Sequence, residues 1–307
     1  MTTPANGPAG DATRKLAAFA ALVAGACAMG ASPVFVRMAD VGPFASAFWR
    51  AALALPALWL WAVIEARSIA PEKARAGFTL PVILAGVFFA GDLFFWHLAI
   101  LGTTVANATF LSTTAPIWVV LGAWFLLRQT IDRGTILGLV ACLAGGVMLV
   151  GQSYAYAPQR LWGDAYGLIT AVFFGAYFLS IRAGRETHGS ARLVFLSTAI
   201  TAAILLVVAL ALEPRLLPAS AEGWATLLAL ALVSQVAGQG LLAVALGHLP
   251  AVFSSLVIFV EAVAAAAFGW VFLGESLTTL QLLGGILIFA GIWVARPRPA
   301  QPTKDTP

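Results

Sequence analysis

The chain has 307 residues, 61% of them hydrophobic and only 10% charged, with a mean hydropathy of +0.94. A soluble globular protein carries roughly 25% charged residues, so this composition excludes that class and points to a chain that crosses a membrane repeatedly. The net charge of +4 is gathered in short loops and does not indicate a nucleic-acid partner.

A spanning helix needs about 20 apolar residues to cross roughly 30 Å of hydrocarbon. Ten stretches qualify, at 15–37, 44–64, 78–100, 103–127, 134–152, 163–183, 192–212, 223–246, 250–273 and 277–295. Short alternating segments of about 10 residues, the mark of a β-barrel, are not seen. An all-α integral membrane protein is predicted.

In chain order, the first stretch follows Arg14 and Lys15 and closes on "GASPVFVR" (Gly30–Arg37), where Pro33 predicts a kink. Its length, and a counterpart of its end later in the chain, favour a retained helix over a cleaved signal. The second carries Arg50, and the third carries Asp92, Trp96 and His97. The fourth offers Asn107, Thr114 and Trp118, related at i, i+7, i+11 on one helical face. The sixth has a mixed stripe of Thr170, Phe174 and Tyr177; the eighth pairs Gln235 with Gln239. In the ninth, Ser254 is in line with Glu261, an acid set roughly 16 Å deep from Pro250 at 1.5 Å per residue. Glu275, just past that run, reads as a helix-end charge.

Cys27 and Cys142 both fall inside predicted spans and read as small buried hydrophobes, too far apart in sequence for a disulfide framework. His97, His188 and His248 show no H-x-x-H spacing, so no metal and no cofactor are expected.

Lys and Arg accumulate in loops on the cytoplasmic side. With the N-terminus inside and ten crossings, 13 of the 17 basic residues fall inside, Arg37, Arg160 and Arg215 fall outside, and Arg50 lies within a span. Both termini are therefore expected in the cytoplasm of a bacterial-type inner membrane. The tails, 1–14 and 296–307, are Pro-rich and polar and are expected to be disordered.

The chain also resembles itself. A shift of 146 sets "WFLLRQTIDRGTILGLVACLAGGV" (Trp124–Val147) on "WVFLGESLTTLQLLGGILIFAGIW" (Trp270–Trp293), matching Trp124 with Trp270, Gly138 with Gly284 and Gly145 with Gly291. A shift of 145 sets "GASPVFVR" on "GAYFLSIR" (Gly175–Arg182). Two units of five spans each, 15–152 and 163–295 joined by an external linker at 153–162, enter the membrane with opposite orientation, because five is odd. Inverted repeats of this kind are a transporter signature, with the site between them.

The pattern of an apolar-Pro step, a span and then "LGE.L...Q..G..L...G" resembles the EamA-type halves of the drug/metabolite transporter superfamily. It stands here as "TAPIWVVLGAWFLLRQTIDRGTILG" and "FVEAVAAAAFGWVFLGESLTTLQLLGG". Gln129 replaces the usual Glu after the fourth span, and Ala262 the usual Pro after the acid of the second half. The overall look is similar to bacterial amino-acid exporters of the YddG type. The resemblance implies two five-helix repeats around a central cavity, and alternating access without an enzyme activity.

A charged side chain at mid-membrane is costly and faces a wet cavity or a partner. Glu261 reads as a proton-accepting or cation-contacting group, or as a carboxylate fixed by helix contacts. Arg50 and Asp92 lie at similar depth on consecutive helices and are expected to pair, as a structural tie or a gate; His97 lies beside them. Trp96, Asn107, Thr114, Trp118, Phe174, Tyr177, Gln235, Gln239, Ser254 and Glu261 are the candidate lining of a cavity for a small amphipathic solute. The bland alternative for the same residues is helix-contact glue and interfacial belts.

No G-x-x-x-x-G-K-[ST] loop is present, so movement would be facilitated, exchanged or ion-coupled, with a proton as the candidate coupling ion. The expected partners are a small-molecule solute and the bilayer, and a homodimer stays open. An exporter of amino acids or related metabolites is the leading expectation, with a multidrug or purine/sugar permease as the alternative. An intramembrane aspartyl protease would need a G-x-G-D form that "FFAGDLFF" lacks and a second close acid. A passive channel would need polar rings along a continuous pore.

Overall fold

The computed structural model describes residues 8–297 apart from 104, 126–127, 151–157 and 275–276, and among them the chain is helical throughout, with no strand. The outer parts of both predicted tails, half of the predicted linker, Glu275 and the side chain of Asn107 lie outside the described residues. Seven helical stretches are long and apolar enough to cross a membrane, and three shorter apolar helices, Phe110–Phe125, Arg133–Leu149 and Thr279–Val294, accompany them.

Several predicted spans are interrupted, and the sequence supplies a local cause for most of the breaks. Helix α1 (Pro8–Gly30) starts ahead of the predicted boundary and passes into α2 (Ser32–Met38) through Ala31, with Pro33 in the first turn of α2. The second span divides into α3 (Pro43–Ala52) and α4 (Leu55–Glu65), with Pro56 opening α4. Short α5 (Pro71–Arg75) lies in a loop, and α6 (Leu80–Gly102) is continuous. The fourth span divides at Thr113–Thr114 into α7 (Val105–Ser112) and α8 (Ala115–Phe125), just before Pro116. Each proline lacks an N–H and crowds the carbonyl four residues back, so the α-helical ladder gives way one turn earlier.

Next come α9 (Arg133–Val150), α10 (Leu161–Gly184) and α11 (Ser190–Leu212). The eighth span is a single rod of α12 (Ala221–Ala229), a ten-residue π-helix (Leu230–Gln239) and α13 (Gly240–Leu246). Helices α14 (Ala251–Val257) and α15 (Phe259–Leu273) are separated at Ile258 without any proline. There the amide of Glu261 bonds to the carbonyl of Ile258 at 2.8 Å, an i−3 contact, and the Ser255 hydroxyl donates to the Val252 carbonyl at 2.8 Å. A serine that bonds back along its own helix bends it. Left-handed Gly274 (φ +69°) closes α15, and a Thr278–Gln281 capping box starts α16 (Thr279–Val294).

Glycines set the closest helix contacts. Helices α9 and α16 run antiparallel: a methyl on Gly138 would lie 2.5 Å from the carbonyl oxygen of Gly291, and one on Gly145 2.6 Å from that of Gly284. Between these crossings the Cys142 thiol faces the Ile288 carbonyl at 3.6 Å. Helix α1 meets α15 where Gly30 abuts Glu261, Ala264 and Ala265; α10 meets α8 where Gly175 abuts Ala115, Trp118 and Val119. The second set of neighbours lies 146 positions before the first.

Acidic side chains fasten both ends of the bundle by filling orphan amides at helix starts, where the helix dipole also favours negative charge. At the end carrying Lys73, Arg185 and Arg192, Glu65 accepts from the Ser190 and Ala191 amides, both at 2.9 Å. At the opposite end, Glu213 accepts from the Phe44 amide at 3.0 Å, and Asp40 accepts from the Ala219 and Ser220 amides at 3.0 Å each.

Candidate functional site

Between the helices lies a cleft with about 780 Å³ of space outside the atoms, a figure that includes open solvent. Three of the helix interruptions border it. Ser32 lines it from the start of α2, Ser112 and Thr113 from the α7–α8 break, and Ile258 from the α14–α15 break. Unpaired backbone groups at such breaks are tolerated in a membrane only beside protein or water, and this cleft supplies that setting.

Arg50, Asp92 and Glu261 all line the cleft. Arg50 is only 6% exposed; its Nε donates to Gln235 Oε1 and its Nη1 to Ser32 Oγ, both at 3.1 Å, and its guanidinium carbon stands 5.5 Å from the centre of the Phe89 ring. The expected direct Arg50–Asp92 ion pair does not form. The guanidinium is taken by neutral partners and meets Asp92 and Glu261 through longer-range electrostatic attraction. Asp92 is 8% exposed, and among the described residues neither its carboxylate nor that of Glu261 accepts a hydrogen bond. The main-chain carbonyl of Glu261, by contrast, is the group that Gly30 approaches so closely.

The remaining candidates sort into three groups. Trp96, Phe174 and Gln239 line the cleft with the charged residues. Tyr177 and Gln235 stand directly behind its wall: the Tyr177 hydroxyl donates to Gln239 Oε1 at 3.0 Å, and Gln235 Nε2 donates to Thr198 at 3.1 Å. Outside the wall are Thr114, whose hydroxyl donates to the Leu111 carbonyl, and Ser254, fully buried with its hydroxyl unpartnered. Trp118, 38% exposed, sits on the outer surface, and His97 is buried between Phe44 and Trp96 with Nδ1 2.6 Å from the Leu93 carbonyl. For Thr114, Trp118 and Ser254 the reason is helical phase. The Thr113–Thr114 break cancels the i+7, i+11 relation counted from Asn107, and the Ile258 break cancels the line from Ser254 to Glu261.

Met29, Ser32, Phe89 and Thr113 also line the cleft and were not singled out from the sequence. A polar residue next to a span proline, as Ser32 is to Pro33, was the available signal for one of them.

Trp96 lies six residues from the end of α6 at Gly102, on the side of Asp40 and Glu213. Toward the basic end the floor of the cleft is Phe89 and the Tyr177–Gln239 pair, below which Leu22, Ile181, Leu193, Leu242 and Leu246 are fully buried.

An apolar helical bundle with a charged central cleft is the build of a multi-pass membrane transporter. The chain belongs to the EamA-like transporter family, whose model matches residues 15–151 and again 161–296. It is 29% identical over 210 residues to the pseudopaline exporter CntI of Pseudomonas aeruginosa, covering 68% of this chain and 72% of that one. To the threonine/homoserine exporter RhtA of Escherichia coli K12 it is 30% identical over 218 residues, 69% and 70% of the two chains. A solved crystal structure matches in fold with a TM-score of 0.78 over 92% of this chain and 97% of that one, at 19% identity. The family and these relatives are transporters, not enzymes.

Proposed function

We propose that the protein is a secondary-active or facilitative exporter of amino acids or related small metabolites, working by alternating access around the central cleft. The observation that carries this reading is the cleft itself. It combines one guanidinium, two carboxylates that accept no hydrogen bond among the described residues, and the aromatic walls of Phe89, Trp96 and Phe174, a chemistry that suits a small solute bearing both amino and carboxyl groups. Exporters of small solutes among the relatives support the direction of transport.

Ten spans are the reading of the seven long helices together with the three shorter apolar ones. Two inverted repeats are supported by the antiparallel α9–α16 pair and by reciprocity across it. Gly138 meets Gly291 while its repeat mate Gly284 meets Gly145, and Gly30 meets α15 as Gly175 meets α8. The positive-inside rule supports reading the basic end, with both termini, as cytoplasmic in the inner membrane, and the end carrying Asp40 and Glu213 as the outer one. Inward access then requires parting the Tyr177–Gln239 floor and the leucine layer below it.

The test is flux of radiolabelled amino acids in proteoliposomes of the purified protein. Saturable flux with counterflow is expected; absence of saturable flux for every amino acid tried overturns the reading. Labelling that placed the two termini on opposite sides of the membrane would overturn the ten-span topology independently.

A further inference from the structure

We infer that the cleft selects a diamino carboxylic acid, a solute with one carboxylate, two ammonium groups and a net charge of +1. The inference rests on the exporter reading above and deepens it to a substrate class.

The argument is one of charge and unused hydrogen-bonding capacity. The ionisable groups on the cleft wall are Arg50 from α3, Asp92 from α6 and Glu261 from α15, with a formal sum of −1. The neighbouring Tyr177 and His97 stand behind the wall, the first engaged with Gln239 and the second with the Leu93 carbonyl. Every other cleft-lining side chain is neutral. A net charge held among apolar walls is unfavourable, and a bound solute can cancel it.

Geometry then assigns the groups. Arg50 spends Nε on Gln235 and one Nη1 hydrogen on Ser32, so of its five N–H donors three, including both on Nη2, make no hydrogen bond among the described residues. Those three suit a carboxylate, which pairs with a guanidinium through two parallel bonds. Asp92 is more than nine-tenths buried and lines the cleft, and among the described residues neither it nor Glu261 accepts a hydrogen bond. When ionised, these two groups on different helices only accept and call for two donors, and an ammonium at each supplies them. A neutral amino acid would leave one carboxylate of the cleft unpaired. A diamine without a carboxylate would set a second cation against Arg50.

Lysine and norleucine make the sharpest comparison, because they have nearly the same length and differ by the side-chain ammonium; putrescine removes the carboxylate instead. In proteoliposomes containing the full chain, lysine or ornithine is expected to move at least about tenfold faster at low concentration than norleucine or putrescine. In Asp92→Asn the lysine-to-norleucine ratio should fall by at least about tenfold. The wild-type comparison needs no variant, so a poorly folding Asp92→Asn does not spare the inference. If norleucine moves as well as lysine, a proton rather than the solute neutralises the cleft, and the inference is overturned while the exporter reading stands. Equal flux of putrescine overturns the role given to Arg50. Flux of none of these solutes, nor of threonine, overturns both.

Discussion

The side chain of Gln235 holds the buried guanidinium of Arg50: Nε of the arginine donates to Oε1 of the amide at 3.1 Å, and the amide nitrogen is anchored in turn on Thr198 at 3.1 Å. Gln235 sits inside the π-helix of the eighth span, where a wider turn re-aims side chains relative to an α-helix. The bond therefore joins an unusual backbone to a cation that lines the cleft. Replacing Gln235 by Leu keeps volume and removes the acceptor, leaving a buried charge short of a partner. A loss of about 1.5–3 kcal/mol is expected, the scale of a hydrogen bond to a charged group. Thermal unfolding in detergent reads it, with Gln235→Glu, which retains an acceptor, as the comparison. Equal destabilisation by both variants would show that shape at position 235, not the bond, is what matters.

Gly145 and Gly146 are neighbours in sequence with opposite surroundings. A methyl on Gly145 would stand 2.6 Å from the Gly284 carbonyl oxygen and 3.0 Å from the Ile288 amide, backbone atoms that cannot move without separating α9 from α16. A methyl on Gly146 meets only the rings of Phe259 and Phe110, at 3.6 Å and beyond. Gly145→Ala is expected to cost about 1–3 kcal/mol through overpacking. Gly146→Ala is expected to be neutral or to gain up to about 1 kcal/mol, because alanine is the better helix former. Melting temperatures of the two variants side by side decide it. A tolerated Gly145→Ala would contradict the close antiparallel contact.

These glycines also show what the sequence revealed and what it withheld. Spans were legible because hydrophobic length is a one-dimensional property. The matches of Gly138 with Gly284 and Gly145 with Gly291 were legible because a close crossing leaves no room for a side chain. The three cleft charges were legible because charge among apolar residues stands out. What failed was helical phase carried through a break. Trp118 was projected from Asn107 as though the helix were continuous, and the turn at Thr113–Thr114 rotates it to the outer surface. Proline marks that break, but no proline marks the one at Ile258, and nothing in "LALVSQVAGQ" announces a π-helix. Partner choice was equally hidden: Asp92 lies at the right depth for Arg50, yet Ser32 and Gln235 come from two other helices to claim it.

The two tryptophans offer a functional test of that rotation. Trp96 lines the cleft and stands edge-on to His97 with centroids 5.1 Å apart, whereas Trp118 is 38% exposed on the outside of α8. Trp96→Leu should lower transport efficiency by about tenfold or more, the usual scale for truncating an aromatic contact at the centre of a binding site. Trp118→Leu should leave it near the wild-type value. Transport of a saturable solute by the two variants, normalised to reconstituted protein, measures both. A loss confined to Trp118→Leu would place the solute path on the other side of α8.

Asp40 supplies a pH dependence with a definite sign. Its Oδ2 accepts from the Ser220 hydroxyl at 2.8 Å and from the Ala219 and Ser220 amides, and that hydroxyl in turn accepts from the Gly223 amide at 2.9 Å at the start of α12. The hydrogen bond from Ser220 is the largest cause holding the Asp40 carboxyl below the ordinary aspartate value of 3.8, with the two backbone bonds adding to it. A group with a depressed folded-state pKa lends its tie at every pH above the ordinary carboxylate range and loses it as pH falls through the depressed value. The tie between the α2–α3 turn and the loop before α12 should therefore be unchanged from neutral pH through mild acidity, and release only in strong acid. Spin labels at Val41 and Leu217 would report it as a narrow distance distribution that broadens below the ordinary aspartate range. In Asp40→Ala the distribution should be broad at every pH. Wild-type broadening already between pH 7 and pH 5 would mean that a different titrating group controls this end of the bundle.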